Sequence, residues 1–182
     1  MQRSRRFVFS LGIVALTMAH GSVIAEPEGT GRVDCRILEN GESASGTISL
    51  RKDGSEVRKE SCNGVITVEI GTYSAVVSLD GVLNGAEQKH SLTVRKGSTA
   101  RVVADFPTGF LEVHILSEGK KAAGMAIIRK DNGQIGTLGS GVSAHLSVGS
   151  YQVVARYRSQ EKQFDNVIIE AAKKVVLNAT FD

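Results

Sequence analysis

The sequence predicts an all-β protein in which two tandem antiparallel β-sandwich domains follow a cleaved signal peptide. Two observations support this fold class. Apolar residues alternate with polar ones over short segments, which is the two-residue period of strands that bury one face. The pattern also occurs twice, because an offset of 78 positions carries Gly31 onto Gly109 and Tyr73 onto Tyr151. A repeat of this length indicates two copies of one small domain.

Residues 1–25 have the pattern of a secretory signal. Arg3, Arg5 and Arg6 precede an apolar run over residues 7–19, and small side chains at Val23 and Ala25 precede the expected cut. We expect an exported bacterial protein, periplasmic or secreted, by the general secretory or the twin-arginine route. The run is shorter than the roughly 20 apolar residues of a membrane span, and no second run follows. We therefore expect no integral membrane segment in the mature chain.

The charge of the mature chain argues against nucleic-acid binding. Three of the 22 Lys and Arg residues lie in the signal and none of the 19 acidic residues do, so the remainder is formally neutral. A neutral chain with few aromatic residues lacks the basic surface of a nucleic-acid binder. We expect a protein partner instead.

Turn residues and strand periodicity divide the mature chain. Residues 26–30 are a polar, flexible N-terminus, 31–106 and 109–182 are the two domains, and Pro107 with Thr108 forms the linker. Each copy contains six or seven short strands, which in the first copy lie near residues 33–37, 48–50, 66–70, 75–77, 92–94 and 100–106. This strand count is typical of a sandwich.

Basic turns occur at the same place in both copies. Arg51, Lys52 and Asp53 correspond to residues 129–131, and each triplet precedes a glycine or an Asn-Gly pair suited to a tight hairpin. Such charges either keep a hairpin or sheet edge soluble or form an anion-binding tip. The sequence favours the first role.

A second repeated motif spans residues 68–73 (VEIGTY) and 146–151 (LSVGSY). Gly71 and Gly149 turn the chain, and Tyr73 and Tyr151 place an apolar ring and a hydroxyl at the corner. The motif resembles the Leu-x-x-Gly-x-Tyr signature of carboxypeptidase-regulatory-like, transthyretin-like and collagen-adhesin B-type repeats. The resemblance covers both copies and implies immunoglobulin-like or transthyretin-like sandwiches, which in that group are typically noncatalytic. It also implies that the four residues are structural corners.

Cys35 and Cys62 both lie in the first copy, and their positions in the second copy are Val113 and Ser140. Both cysteines have the parity of inward-facing residues, which in an exported domain favours a disulfide across the sandwich. Two buried thiols and a redox pair are the alternatives, although the close Cys-x-x-Cys spacing of a redox site is absent.

No reactive constellation emerges from the remaining polar residues. His114 and His145 are expected to point outward on strands of the second copy, but no third ligand has metal-site spacing. The sequence shows no calcium loop, phosphate loop or nucleophile elbow. We therefore predict no catalytic residues, no cofactor and no metal.

These observations favour a noncatalytic, exported protein that binds or positions another envelope or extracellular component. Its working surface would be a loop end, a strand edge or the groove between the domains. The alternative function is a periplasmic carrier of a small ligand or metal, using the crevice between the domains or the face that carries His114 and His145. The sequence does not specify the partner or the oligomeric state.

Overall fold

The computed structural model describes residues 29–182, so the predicted signal peptide lies outside the described residues. These residues form sixteen strands: β1 (Thr30–Glu39), β2 (Glu42–Ser43), β3 (Gly46–Lys52), β4 (Ser55–Ser61), β5 (Gly64–Glu69), β6 (Gly71–Leu79), β7 (Glu87–Val94), β8 (Thr99–Phe106), β9 (Thr108–Ser117), β10 (Lys120–Lys121), β11 (Met125–Lys130), β12 (Gly133–Gly139), β13 (Ser143–Ser147), β14 (Gly149–Tyr157), β15 (Gln160–Ile169) and β16 (Lys174–Phe181). No helix among them is long and apolar enough to cross a membrane.

Strands β1–β8 form domain 1 as two facing four-stranded sheets. One sheet has the order β5-β1-β8, with the short β2 paired to the end of β1, and the other has the order β4-β3-β6-β7. Strands β9–β16 form domain 2 with the same two sheet orders. The all-β double sandwich predicted from the repeat is therefore the fold of this chain.

The observed sheets contain one feature that the antiparallel prediction lacks. In each domain the first and last strands pair in parallel, β1 with β8 and β9 with β16, while every other pair is antiparallel. The parallel pair joins the beginning of a domain to its end. Each domain is thereby closed across its own termini.

The alternating apolar residues face two separate cores. The core of domain 1 includes Ile37, Ile48 and Leu50, all fully buried, and that of domain 2 includes Leu111 and Ile128, also fully buried. No residue belongs to both clusters. Each copy thus packs as a unit of its own, as expected for a duplicated domain.

The tyrosine corners bond to the backbone in both domains. The Tyr73 hydroxyl donates to the Glu69 carbonyl (2.8 Å), and the Tyr151 hydroxyl donates to the Ser147 carbonyl (2.6 Å). Both rings are buried. Each hydroxyl therefore ties the start of β6 or β14 to the strand that precedes it.

The lysine of each basic turn lies over the corner tyrosine. Lys52 Nζ is 6.0 Å from the Tyr73 ring centre, and Lys130 Nζ is 5.3 Å from the Tyr151 ring centre. Gly71 has a φ of 151°, a backbone conformation that residues with a β-carbon rarely adopt. The repeated lysine thus contributes a cation–π contact to the corner, at about 0.5–1 kcal/mol for an exposed site.

Cys35 and Cys62 are joined by a disulfide, with their Cα atoms 5.2 Å apart. Cys35 lies in β1, while Cys62 lies in the bend where the chain passes from β4 to β5, so the bridge closes one edge of the sandwich. Each domain also has a hydrogen bond from a strand amide to a side chain at this bend. In domain 2 the Ile115 amide donates to Ser140 Oγ (2.9 Å), whereas in domain 1 the Ile37 amide donates to Asn63 Oδ1 (3.0 Å).

Two residues outside the predicted domains belong to strands. Thr30, which the sequence places in the flexible N-terminus, opens β1, and Thr108, which it places in the linker, opens β9. Pro107 alone separates β8 from β9. The connection between the domains is therefore shorter than the predicted linker.

Replacing the disulfide by the residue pair of domain 2, C35V with C62S, should destabilise domain 1. The bridge spans 27 residues, and closing a loop of that length restricts the unfolded chain by about 3.5 kcal/mol in the chain-entropy account. We expect a loss of about 3 kcal/mol in the free energy of unfolding, measured with denaturant. A reducing agent should lower the stability of the wild type and leave the variant unchanged. An insensitive wild type would contradict this role.

Tyr151→Phe should lower stability by about 1 kcal/mol, since one backbone hydrogen bond is lost. Burial, with a further effect of Asp131, raises the pKa of Tyr151 above its ordinary value of 10.0. Above pH 10 the unfolded state therefore loses this proton more readily than the folded state, and stability falls. Denaturant unfolding at pH values up to 11 should show a shallower alkaline loss in Tyr151→Phe than in the wild type. An equally steep alkaline loss of stability in the wild type and in Tyr151→Phe would contradict the role given to Tyr151.

Candidate functional site

The junction between the domains is built around one buried hydroxyl. Thr108 is fully buried, although only Pro107 separates it from the last strand of domain 1. Its amide donates to Asn40 Oδ1 (3.0 Å), and Asn40 Nδ2 donates to both the carbonyl (3.1 Å) and the hydroxyl oxygen (3.2 Å) of Thr108. One asparagine of domain 1 thereby holds the first residue of domain 2 by three hydrogen bonds.

The position of Asn40 follows from the local turn. Asn40 and Gly41 form the two-residue turn between β1 and β2, with φ of 51° and 85°. Asn-Gly is the preferred sequence for such a turn. The turn therefore accounts for the backbone at Asn40, while its side chain is free to reach across the junction.

Two charged or titratable side chains complete the cluster. The Thr108 hydroxyl donates to the Glu39 carboxylate, and His145 Nε2 contacts both that carboxylate and Thr108 Oγ1, the latter at 2.8 Å. The His145 ring stacks on Phe110, with ring centres 4.7 Å apart and planes 11° from parallel. We call Glu39, Asn40, Thr108 and His145 the junction cluster. It joins β1 of one domain to β9 and β13 of the other.

A loop of domain 1 covers the outer edge of β13. This loop, residues 80–86, connects β6 to β7, whereas only residues 158–159 connect the equivalent strands of domain 2. The Leu83 amide donates to the His145 carbonyl (2.8 Å), and the Ser147 amide donates to Asn84 Oδ1 (3.0 Å). The loop therefore satisfies backbone groups of an edge strand that its own sheet leaves unpaired.

Leu83 also closes the gap between β12 and β13. A β-carbon at Gly136 would lie 2.6 Å from a methyl group of Leu83, so a larger residue there would displace this side chain from its present position. Gly136 pairs with Ile128 of the core and shares its face of the sheet. The leucine of domain 1 thus lies at the open side of domain 2, with 39% of its surface still exposed.

The equivalent gap in domain 1 is different. Arg58 and Glu60 of β4 pair with Leu50 and Ile48 and so share the core-facing side of the edge strand. Their side chains form an ion pair (2.7 Å) and are about half exposed. Inward-pointing charges of this kind protect an edge without a covering segment. Among residues 29–182, none pairs with the outer edge of β5.

The two predicted histidines share a face but not a site. His114 lies on β9 and His145 on β13, and because His145 pairs with Phe110, the two are four residues apart along the ladder, or roughly 13 Å. His114 Nε2 lies 2.8 Å from Glu112 Oε1, while His145 reaches Glu39. A hydrogen bond from Lys174 lowers the pKa of Glu112. Within residues 29–182, no group of three His, Cys, Asp or Glu side chains is placed to hold a metal ion.

Sequence reasoning missed most of the junction. It identified His145, but as an outward residue, and it did not identify Glu39, Asn40 or Leu83. One signal was present, since the shorter second copy shows that the loop around Leu83 belongs to the first copy alone. The contact between that loop and β13 depends on the angle between the domains, which periodicity does not encode.

Neither a protein-family model nor a curated protein matches this chain. Among solved structures, a candidate adhesin from Bacteroides ovatus is similar, with a TM-score of 0.48 at 6% identity over 82% of this chain and 87% of that one. The minor pilin of Streptococcus agalactiae gives 0.41 at 14% identity over 82% and 94%. The TIE protein of Bacillus anthracis gives 0.37 at 14% identity over 85% of this chain. The chain spans 34% of that protein's length, and 26% of a leucine-rich repeat protein from Bacteroides thetaiotaomicron.

Thr108→Val should weaken the junction while preserving side-chain shape. The change removes the hydroxyl that donates to the Glu39 carboxylate and accepts from Asn40 Nδ2, and a hydrogen bond to a charged group contributes about 1.5–3 kcal/mol. We expect a loss of that size in denaturant unfolding, together with a wider range of domain orientations by residual dipolar couplings. Thr99→Val, on an exposed strand position of domain 1, is the matched control and should change neither. Thr108→Val behaving like that control would rule out a central role for the hydroxyl.

Proposed function

We propose that this chain is an exported, noncatalytic protein whose two sandwiches bind or position another envelope or extracellular component. The observation that carries the proposal is the junction. Three hydrogen bonds between Asn40 and Thr108, the cluster around them and the Leu83 loop fix one domain against the other. A single residue of linker permits little further freedom.

A fixed pair of sandwiches suits a positioning role. The polar groups at the junction bond to one another, an arrangement that supports a role in holding two domains in register. The remaining surface consists of strand faces, strand edges and hairpin turns, which are the parts of a sandwich that engage protein partners. Export is proposed from the sequence of residues 1–25, and a disulfide is in keeping with an oxidising compartment.

The carrier function gains no specific support from the junction. Side chains of the junction cluster bond to one another, and His114 and His145 contact different glutamates. We therefore favour the binding and positioning role over a small-ligand carrier.

In-cell crosslinking of the tagged protein at native expression, followed by mass spectrometry, tests the proposal. We expect one abundant envelope or extracellular protein to be recovered with the wild type. Recovery should fall by about half or more with Thr108→Val if domain orientation matters, because a partner that contacts both domains loses part of the effective concentration that a fixed geometry provides. Thr99→Val is the control. Recovery of no partner, while the purified protein turns over a substrate, would contradict the proposal.

A further inference from the structure

The most distinctive unassigned surface is the open side of domain 1. Two cavities, of about 350 and 370 Å³, lie between the edge strands β4 and β5, and both are lined by Arg58 and Thr67. They adjoin, so that one groove follows the length of β5. The exposed apolar side chains Val57 and Val65 line it, one from each strand, at 50% and 61% exposure. We call this feature the β5 groove.

The backbone of β5 offers hydrogen bonds to an added strand. Thr67 is equivalent to His145 by the 78-residue offset, and the two hold the same register positions, opposite Arg32 and Phe110. In domain 2 the carbonyl of His145 and the amide of Ser147 face outward, since both bond to the loop that carries Leu83. The corresponding groups of Thr67 and Glu69 therefore face the β5 groove.

The chain itself shows that this edge of a sandwich can bond to a segment from outside its own sheet. Domain 2 fills the same space with a turn of domain 1, in which the Gly85 amide donates to the Val82 carbonyl (3.1 Å), and this turn supplies an amide donor, a leucine side chain and an amide oxygen from Asn84. That loop is held at β13 by the junction, and the β6–β7 counterpart in domain 2 has only residues 158–159. Among residues 29–182, the groove is thus filled in one domain and open in the other.

The charges around the groove indicate an uncharged occupant. Arg58 pairs with Glu60 at 2.7 Å, and Lys52 lies 3.9 Å from Glu69. Because each positive side chain at the groove is paired with a negative one, an occupant needs no net charge to match. The two exposed valines favour contact with apolar side chains of the occupant. We propose that the β5 groove binds an extended, uncharged peptide segment of a partner protein as an added strand along β5. This inference deepens the proposed function by naming its docking site.

Strand addition makes Thr67 the decisive position. Thr67→Pro removes an outward amide and no ladder bond to β1, and proline is tolerated on an edge strand in that orientation. Thr67→Ala changes the same side chain but keeps the amide and is the matched control. Val65→Lys places a charge on the edge at an exposed position, which blocks strand pairing by a second route should the proline variant fold poorly.

The probe is a displayed library of random peptides of roughly a dozen residues, long enough to cover a strand of five or six. The library is selected on the mature chain, and the enriched peptide is then synthesised. We expect it to bind the wild type and Thr67→Ala alike, and to bind Thr67→Pro and Val65→Lys at least about tenfold more weakly, because a backbone hydrogen bond or the apolar edge is lost. Its addition should slow hydrogen exchange at the amides of residues 65, 67 and 69.

Three results would overturn the inference. These are enrichment of no peptide, binding to Thr67→Pro as tight as to the wild type, and a wild-type dimer in sedimentation that Thr67→Pro dissociates, which would make a second copy the occupant. The in-cell crosslinking separates this failure from that of the proposed function. A partner recovered equally with the wild type and Thr67→Pro leaves the function standing without this groove, whereas a bound peptide with no recovered partner leaves the groove and removes the function.

Discussion

Each sandwich of this protein ends, on one side, in two edge strands whose backbone groups and core-facing side chains need protection from water and from other strands. Most of what distinguishes the two copies is how they meet that requirement. In domain 2 the loop around Leu83 lies against β13, and Leu83 itself occupies the space above Gly136. In domain 1 the ion pair of Arg58 and Glu60 points toward the same space. The same fold is thus covered by a neighbouring domain in one copy, while in the other copy the charges on β4 face this space and the outer edge of β5 has no partner among residues 29–182.

The domain 2 solution also explains the junction. A covering loop protects an edge only if it stays in place, and this loop belongs to another domain with its own core. The bonds between Asn40 and Thr108 hold the two domains at the required angle, and the contacts of Glu39 and His145 reinforce them. Edge protection and domain orientation are therefore one structural device, in which each part depends on the other.

The sequence predicted what depends on local pattern. Strand periodicity and the 78-residue offset indicated the double sandwich, and the parity of Cys35 and Cys62 indicated the bridge that the structure contains. Strand β4 was not among the predicted strands, because its residues are polar apart from Val57 and its core-facing positions are charged. The parallel pairing of β1 with β8 joins segments about 70 residues apart, a relation that neither periodicity nor turn chemistry specifies.

The same reasoning accounts for the missed residues of the junction and for the disulfide's confinement to one copy. Glu39 and Asn40 belong to an ordinary Asn-Gly hairpin, and that motif does not predict a contact with a second domain.

At the bend after β4, Cys62 replaces the serine whose hydroxyl caps Ile115 in domain 2, and Asn63 takes over that capping bond. Domain 1, whose open side no neighbouring domain covers among the described residues, carries a covalent bridge at that side. Domain 2 is covered there by Leu83 and has only the hydrogen bond. The distribution of the bridge thus follows the distribution of edge protection, which becomes visible only when the two copies are compared in three dimensions.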